Sequence, residues 1–391
     1  MIDPLRLLLA RDVAALPPIE GWDAAAWEAV HRAVLAWDAA PLAASAVRAM
    51  GLAKSVPPAI FAAWRRDHTA TTAVNMRLAF EAGALVEALR KRGVRSAPLK
   101  GSVLFLRGVY RDPGARPTCD VDLLIAEADA PAVTRALIER GYTQARAGGP
   151  KHLPPFVRDG LMVEVHEHAF WSLADGHRVG LPEMLDVHRR PALAPAVAHL
   201  LHHLFESSVT TPWLVVKTLA DLAEVRAFAA REAGSAEIAD EIAACAGRFG
   251  LGRRLGALAG LLARVLDRPV PEAWLREARA ADVEALLARA APQARAFETA
   301  LRLPDRLAGL ARMPAAETIA RLQHYLVPPA DTMRMFYGLG PGSKWVWPLY
   351  PLRPIQLLGR SALDAARLLV ARRAGPPGSP PGEVDPGRKK A

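Results

Sequence analysis

Along most of this chain apolar residues recur at intervals of three and four, the spacing that gathers them on one face of an α-helix. The segments "DAAAWEAVHRAVLAW", "PLAASAVRAMGLAK" and "AVNMRLAFEAGALVEALRKRGV" carry this pattern before residue 95, and "LPPIEG" and "SVPP" break it. Lys91, Arg92 and Gly93 close the last of them with the charges and the glycine that suit a helix C-terminus. From residue 96 to about 172 the period changes. "SAPLKG" and "VDLLI" are short strand-like runs, "ADAPAVTRALIERGY" is an amphipathic helix closed by Gly141, and "LMVEVHEHAF" alternates as a half-exposed strand does. Beyond 180 the helical spacing returns in "PAVAHLLHHLFESS", "LVVKTLADLAEVRAFAAREA", "AEIADEIAACAGRFG", "RRLGALAGLLARVL" and "DVEALLARAAPQARAFETALR".

The pattern predicts an α+β protein, predominantly helical, with a helical leader over 1–95, a small α/β core over 96–172 and a helical C-terminal domain over 173–373. The final "AGPPGSPPGEVDPGRKKA", residues 374–391, is a Pro/Gly tail too poor in apolar residues to offset the cost of ordering. A length of 391 residues with 51% hydrophobic content allows two or three cored domains.

The formal charge of +10 invites an anionic partner, yet residues 96–172 hold nine Lys or Arg against nine Asp or Glu. That neutrality argues against a nucleic-acid groove in the core and places the excess charge on solvated helices. Only two cysteines occur, Cys119 and Cys245, in no metal-type spacing, so neither a disulfide framework nor a zinc finger is expected. A reducing, cytoplasmic setting fits them. The opening "MIDPLRLLLARD" is too short an apolar run for a signal peptide, and no stretch of eighteen apolar residues lacks a charge.

Asp120 and Asp122 stand one residue apart in a strand-like run, so their side chains share a face while Val121 takes the other. Two close carboxylates repel unless a cation relieves them, and a divalent metal with hard oxygen ligands does so. A D-x-D on a strand is therefore a natural base for phosphoryl transfer. Alone the pair is weak evidence, since exposed strands and turns carry such pairs often. It gains weight from its company. Gly101 and Ser102 end a preceding strand, where backbone N–H groups and a hydroxyl can meet phosphates, and Glu164 in the alternating "VEVHEH" is the best third acid.

These residues resemble the nucleotidyltransferases of the DNA polymerase β superfamily, and more closely the bacterial uncharacterised nucleotidyltransferase group. The resemblance is carried by Leu99-Lys100-Gly101, Tyr110, Arg116, Asp120-Val121-Asp122-Leu123-Leu124, Gly141-Tyr142, His152 and Glu164-Val165-His166. It implies a five-stranded mixed-sheet catalytic core, two Mg²⁺ ions, and transfer of a nucleoside monophosphate from an NTP to a hydroxyl with release of pyrophosphate. Asp120, Asp122 and Glu164 would be the catalytic metal ligands, and Lys100, Gly101, Ser102 and Arg116 would bind nucleotide phosphate. His152 and His166 are candidates to touch substrate or to support the metal ligands from behind. Two features depart from the wider superfamily: "RDPGARPT" lengthens the loop before the D-x-D, and the third acid is Glu where Asp is more frequent.

Other features have ordinary readings beside their functional ones. His199, His202 and His203 have ligand-like helical spacing but lie among leucines, so core histidines are the preferred reading. Lys217 and Asp221 are one turn apart, most simply a pair on a helix face. The apolar and arginine faces of residues 357–373 suit docking on the protein's own core, with a membrane surface as the second reading. The acceptor is read as a small molecule or a protein, and the rival class is a catalytically silent scaffold that binds a nucleotide or a partner protein.

Overall fold

A computed structural model describes residues 2–10, 16, 22–145, 152–186, 192–206, 212–232, 235–291, 327, 330 and 344–352. The tail at 374–391 and the amphipathic segment at 357–373 lie outside these residues. Those up to 291 belong to one compact unit; residues 327, 330 and 344–352 belong to a second, in which the exposed Trp347 stacks on Tyr350 with ring centroids 5.6 Å apart.

The first unit opens with helices α1 (Ile2–Leu9), α2 (Ala24–Ala36), α3 (Ala40–Ala49) and α4 (Pro58–Lys91). Asp23 caps α2 by accepting from the Ala26 N–H at 2.8 Å. Helix α4 starts as soon as the Pro57-Pro58 pair allows and runs 34 residues, through "RRDHTATTA", where apolar spacing fails and no helix is predicted. Thr69 and Thr72 there return their hydroxyls to carbonyls one turn back, and His68 and Asn75 are buried against a loop they bind. Tertiary contacts thus hold a stretch of modest helix propensity.

Next come β1 (Ser96–Pro98), α5 (Lys100–Leu106), β2 (Asp120–Ile125), α6 (Ala130–Glu139), β3 (Thr143–Gln144), β4 (Phe156–Arg158) and β5 (Leu161–His166). They form a five-stranded mixed sheet in the order β1-β2-β5-β4-β3, with β2 and β5 parallel and the other neighbours antiparallel. The alternating "LMVEVHEHAF" is not one strand: β5 stops at His166, and β6 (Phe170–Trp171) pairs with β7 (Arg178–Val179) in a separate ribbon. Helices α7 (Leu193–Glu206), α8 (Pro212–Arg231), α9 (Ser235–Arg248), α10 (Gly252–Leu266), α11 (Glu272–Leu275) and α12 (Ala280–Arg289) complete the described part of the unit.

Strand alternation divides the sheet between two cores. Val121, Leu123, Ile125, Val163 and Val165 pack with Leu78, Leu85 and Leu89 of α4 and with Val133 and Leu137 of α6. Buried Glu81 fastens this side: it accepts from Tyr142 at 2.8 Å and from Arg158 at 2.9 Å, which accounts for the Gly141-Tyr142 motif. On the other side one large cluster joins α1–α3, β1, α5 and the C-terminal helices. The Trp37 indole N–H donates to the Ala290 carbonyl at 2.7 Å, tying the leader to the end of α12. The acids face this second side. Among the described residues no helix is long and apolar enough to cross a membrane.

Candidate active site

The parallel register of β2 and β5 sets Asp120 opposite Met162, Asp122 opposite Glu164 and Leu124 opposite His166. Because side chains alternate, Asp120, Asp122, Glu164 and His166 emerge on one face. Asp122 is buried, and its Oδ1 accepts from Lys100 Nζ at 2.6 Å and from His166 Nε2 at 2.9 Å. Glu164 Oε2 lies 3.9 Å from Lys100 Nζ and 3.7 Å from His166 Nε2.

These contacts set the charge states. Burial opposes ionisation of Asp122, but Lys100 and His166 overcome it and hold its pKa well below the usual carboxylate range. Burial also opposes the Lys100 charge, and Asp122, Asp120 and Glu164 together raise its pKa above the ordinary lysine value. His166 is pushed below the ordinary imidazole range by burial, with Asp122 pulling the other way. Its neutral ring donates from Nε2, and its buried Nδ1 has no hydrogen-bond partner among the described residues. Asp120 differs. Burial, then the Asp122 charge, push its pKa up to about 6, with Glu164 adding to the rise and the charges of Lys100 and Lys217 opposing it.

Asp122, Glu164 and His166 each offer a ligand atom, all within 4.8 Å of one another, the one group of this kind among the described residues. Two carboxylates on adjacent strands with an unpaired third beside them suit a hard divalent cation. The donor set can hold a divalent cation, but it differs from the expected one: His166 is in the group and Asp120 is not.

The phosphate candidates are placed differently from one another. Lys100 is bound to the acids. Gly101 and Ser102 do not end the preceding strand as expected but lie in the first turn of α5; Gly101 is buried, and a Cβ there would overlap Arg116 Nη1, so only glycine permits the close approach. Ser102 is buried and its N–H donates to the Leu99 carbonyl at 3.1 Å. Arg116 is 4% exposed, and its guanidinium grips Asp221 through Nε at 2.7 Å and Nη2 at 3.0 Å. Tyr110 also donates to Asp221, at 2.7 Å. This corrects the reading of Lys217 and Asp221 as a pair on a helix face: Asp221 points inward to Arg116 and Tyr110. The longer loop "RDPGARPT" is pinned from α3 and α4. Asp112 accepts from Ser45 at 2.6 Å and pairs with His68 at 2.8 Å, and the Asn75 amide donates to the carbonyls of Pro113 and Arg116.

His152 bridges to β5 opposite His166, its ring centroid 5.5 Å away. His199 and His202 are buried on α7 around Phe170, at centroid distances of 5.9 and 4.9 Å. Sequence reasoning assigned Lys217 no place at the site. Its Nζ lies 5.5 Å from the Trp213 ring centroid, and burial and Arg116 bring its pKa down to about 8 while Asp221, Cys119 and Asp120 pull it up. A lysine on an apolar helix face was the available signal; only the packing of α8 beside residues 116–120 gives it meaning.

Fold and site together define a mixed-sheet protein with an acidic, metal-competent face of the kind that serves phosphoryl transfer. The chain belongs to the uncharacterised nucleotidyltransferase family, whose model matches residues 23–267. No curated protein and no solved structure matches it.

Proposed function

We propose that this protein transfers a nucleoside monophosphate from an NTP to a hydroxyl of a small molecule or a protein, releasing pyrophosphate. The observation that carries the reading is the β2–β5 register, which gathers Asp120, Asp122 and Glu164 on one face beside the Lys100-Gly101-Ser102 turn. Bound Mg²⁺, two ions in the scheme the sequence resemblance implies, would supply positive charge to the phosphoryl oxygens and lower the pKa of the attacking hydroxyl.

The chain's own groups divide the remaining work. Asp120 and Asp122 hold the metal, and Glu164 favours loss of the acceptor's proton. His166 fixes the Asp122 carboxylate, and His152 lies behind His166. Gly101 and Ser102 form the phosphate-facing turn, while Arg116, committed to Asp221, shapes that turn by packing on Gly101. Lys217 supplies a positive charge near Asp120. We assign 96–172 as the catalytic core, 1–95 as its cap and the helices after 172 as the acceptor side, in a cytoplasmic protein whose two thiols are free.

The test uses NTPs labelled at the α-phosphate, incubated with full-length protein, Mg²⁺ and cell extract. Label is expected in a small molecule or a protein, and it should vanish with Asp120→Asn. Equal labelling by the parent and the variant would refute the assignment. One observation favours a second reading, a silent nucleotide- or partner-binding scaffold: Lys100 already neutralises Asp122. Calorimetry with ATP separates the two, because the scaffold predicts either no binding or no dependence of binding on Mg²⁺.

A further inference from the structure

Lys100 is an unusual residue in an unusual place. Its backbone φ is +47°, a left-handed conformation that a non-glycine residue rarely adopts. The strain is held by its neighbours: the Leu99 N–H donates to the Asp122 carbonyl at 2.9 Å, and the Ser102 N–H donates to the Leu99 carbonyl at 3.1 Å. The turn is thus anchored to the strand that carries the D-x-D. Its side chain is 19% exposed and ends 2.6 Å from Asp122 Oδ1 and 3.9 Å from Glu164 Oε2. An ammonium so placed already sits between two of the three acids that a pair of metal ions would need. Asp120, by contrast, keeps a carboxylate with no ion-pair partner among the described residues.

We infer that Lys100 is a resident cation standing in for one of the two metals, so that the nucleotide-bound protein takes a single divalent ion, through Asp120 and the Asp122 edge that Lys100 leaves open. This deepens the proposed nucleotidyltransferase reading and rests on it. The physical reason is competition for Asp122, whose Oδ1 already holds the Lys100 ammonium at 2.6 Å. A second ion would have to displace an ammonium held by a strained, hydrogen-bonded turn, or share Asp122 Oδ1 with it against direct repulsion.

Native mass spectrometry of the full chain with Mn²⁺ and a non-hydrolysable NTP counts bound ions directly, without reference to turnover. The parent protein is expected to carry one ion per nucleotide complex, Lys100→Gln two, and Lys100→Arg, which keeps the charge, one. Two ions on the parent overturn the inference whether or not the variants fold. One ion on both the parent and a folded Lys100→Gln also overturns it. Absence of both nucleotide and metal from all three proteins removes the transferase reading itself, and this inference with it.

Discussion

At the scale of single residues, the acidic face combines one secured carboxylate with one strained by its surroundings. Asp122 is fastened by Lys100 and His166, so removing its charge would strip a half-buried ammonium of its nearest counter-ion. Asp120 meets like charges. Asp120→Asn is therefore expected to abolish transfer while leaving the melting temperature equal to or above the parent's; a fall of several degrees would show that Asp120 holds the fold instead. Arg116 and Asp221 form a buried pair. Breaking such a pair on one side costs roughly 3–5 kcal/mol, since the other charge stays buried without compensation. Asp221→Asn should lower stability by about that amount in urea titration, and a loss below about 1 kcal/mol would contradict the geometry. Gly101→Ala would drive a methyl group into Arg116, so it should weaken both nucleotide binding and stability.

At the scale of elements, β2 and β5 place the chemistry, α4 braces it, and the β6–β7 ribbon closes onto the C-terminal helices. His177 clamps the turn of that ribbon by bonding Asp175 and Glu183, each at 2.7 Å. Burial, the largest single influence, disfavours its charge, but the two carboxylates together prevail and raise its pKa above the ordinary imidazole value. A raised folded pKa means that the stabilisation is fully present below about pH 6.5, the unfolded value, and fades as pH rises through the folded one. The melting temperature of the parent relative to His177→Gln should accordingly be highest in mild acid and converge in alkali. A difference independent of pH would place His177's contribution in packing. The β2 strand, α6 and most of the helices were legible from periodicity alone. The two-residue strands β3 and β7 and the first half of α4 were not, because their stability comes from partners distant in sequence.

At the scale of the whole first unit, the helical leader and the C-terminal helices share one core rather than flanking the sheet independently. Helix α1 precedes the segment matched by the family, yet Leu5, Leu7, Leu8 and Leu9 are each at most 1% exposed, and Arg6 donates to the Val265 carbonyl on α10 at 2.6 Å. Burying four leucines is worth about 6 kcal/mol or more, comparable with a domain's entire net stability. Deletion of residues 1–10 is expected to give insoluble or unfolded protein; a soluble, cooperatively melting product would show that α1 is dispensable.

By itself the sequence determined the α+β class and the strand bearing Asp120 and Asp122, because periodicity and residue chemistry act locally and survive without coordinates. Only the tertiary structure decided which charges meet. Lys100 lies 22 residues from Asp122 along the chain and Arg116 lies 105 from Asp221, and no spacing rule reaches that far. The strength of an ion pair depends on separation in space and on burial, both of which arise only when β1 pairs with β2 and α8 packs over the loop that precedes β2.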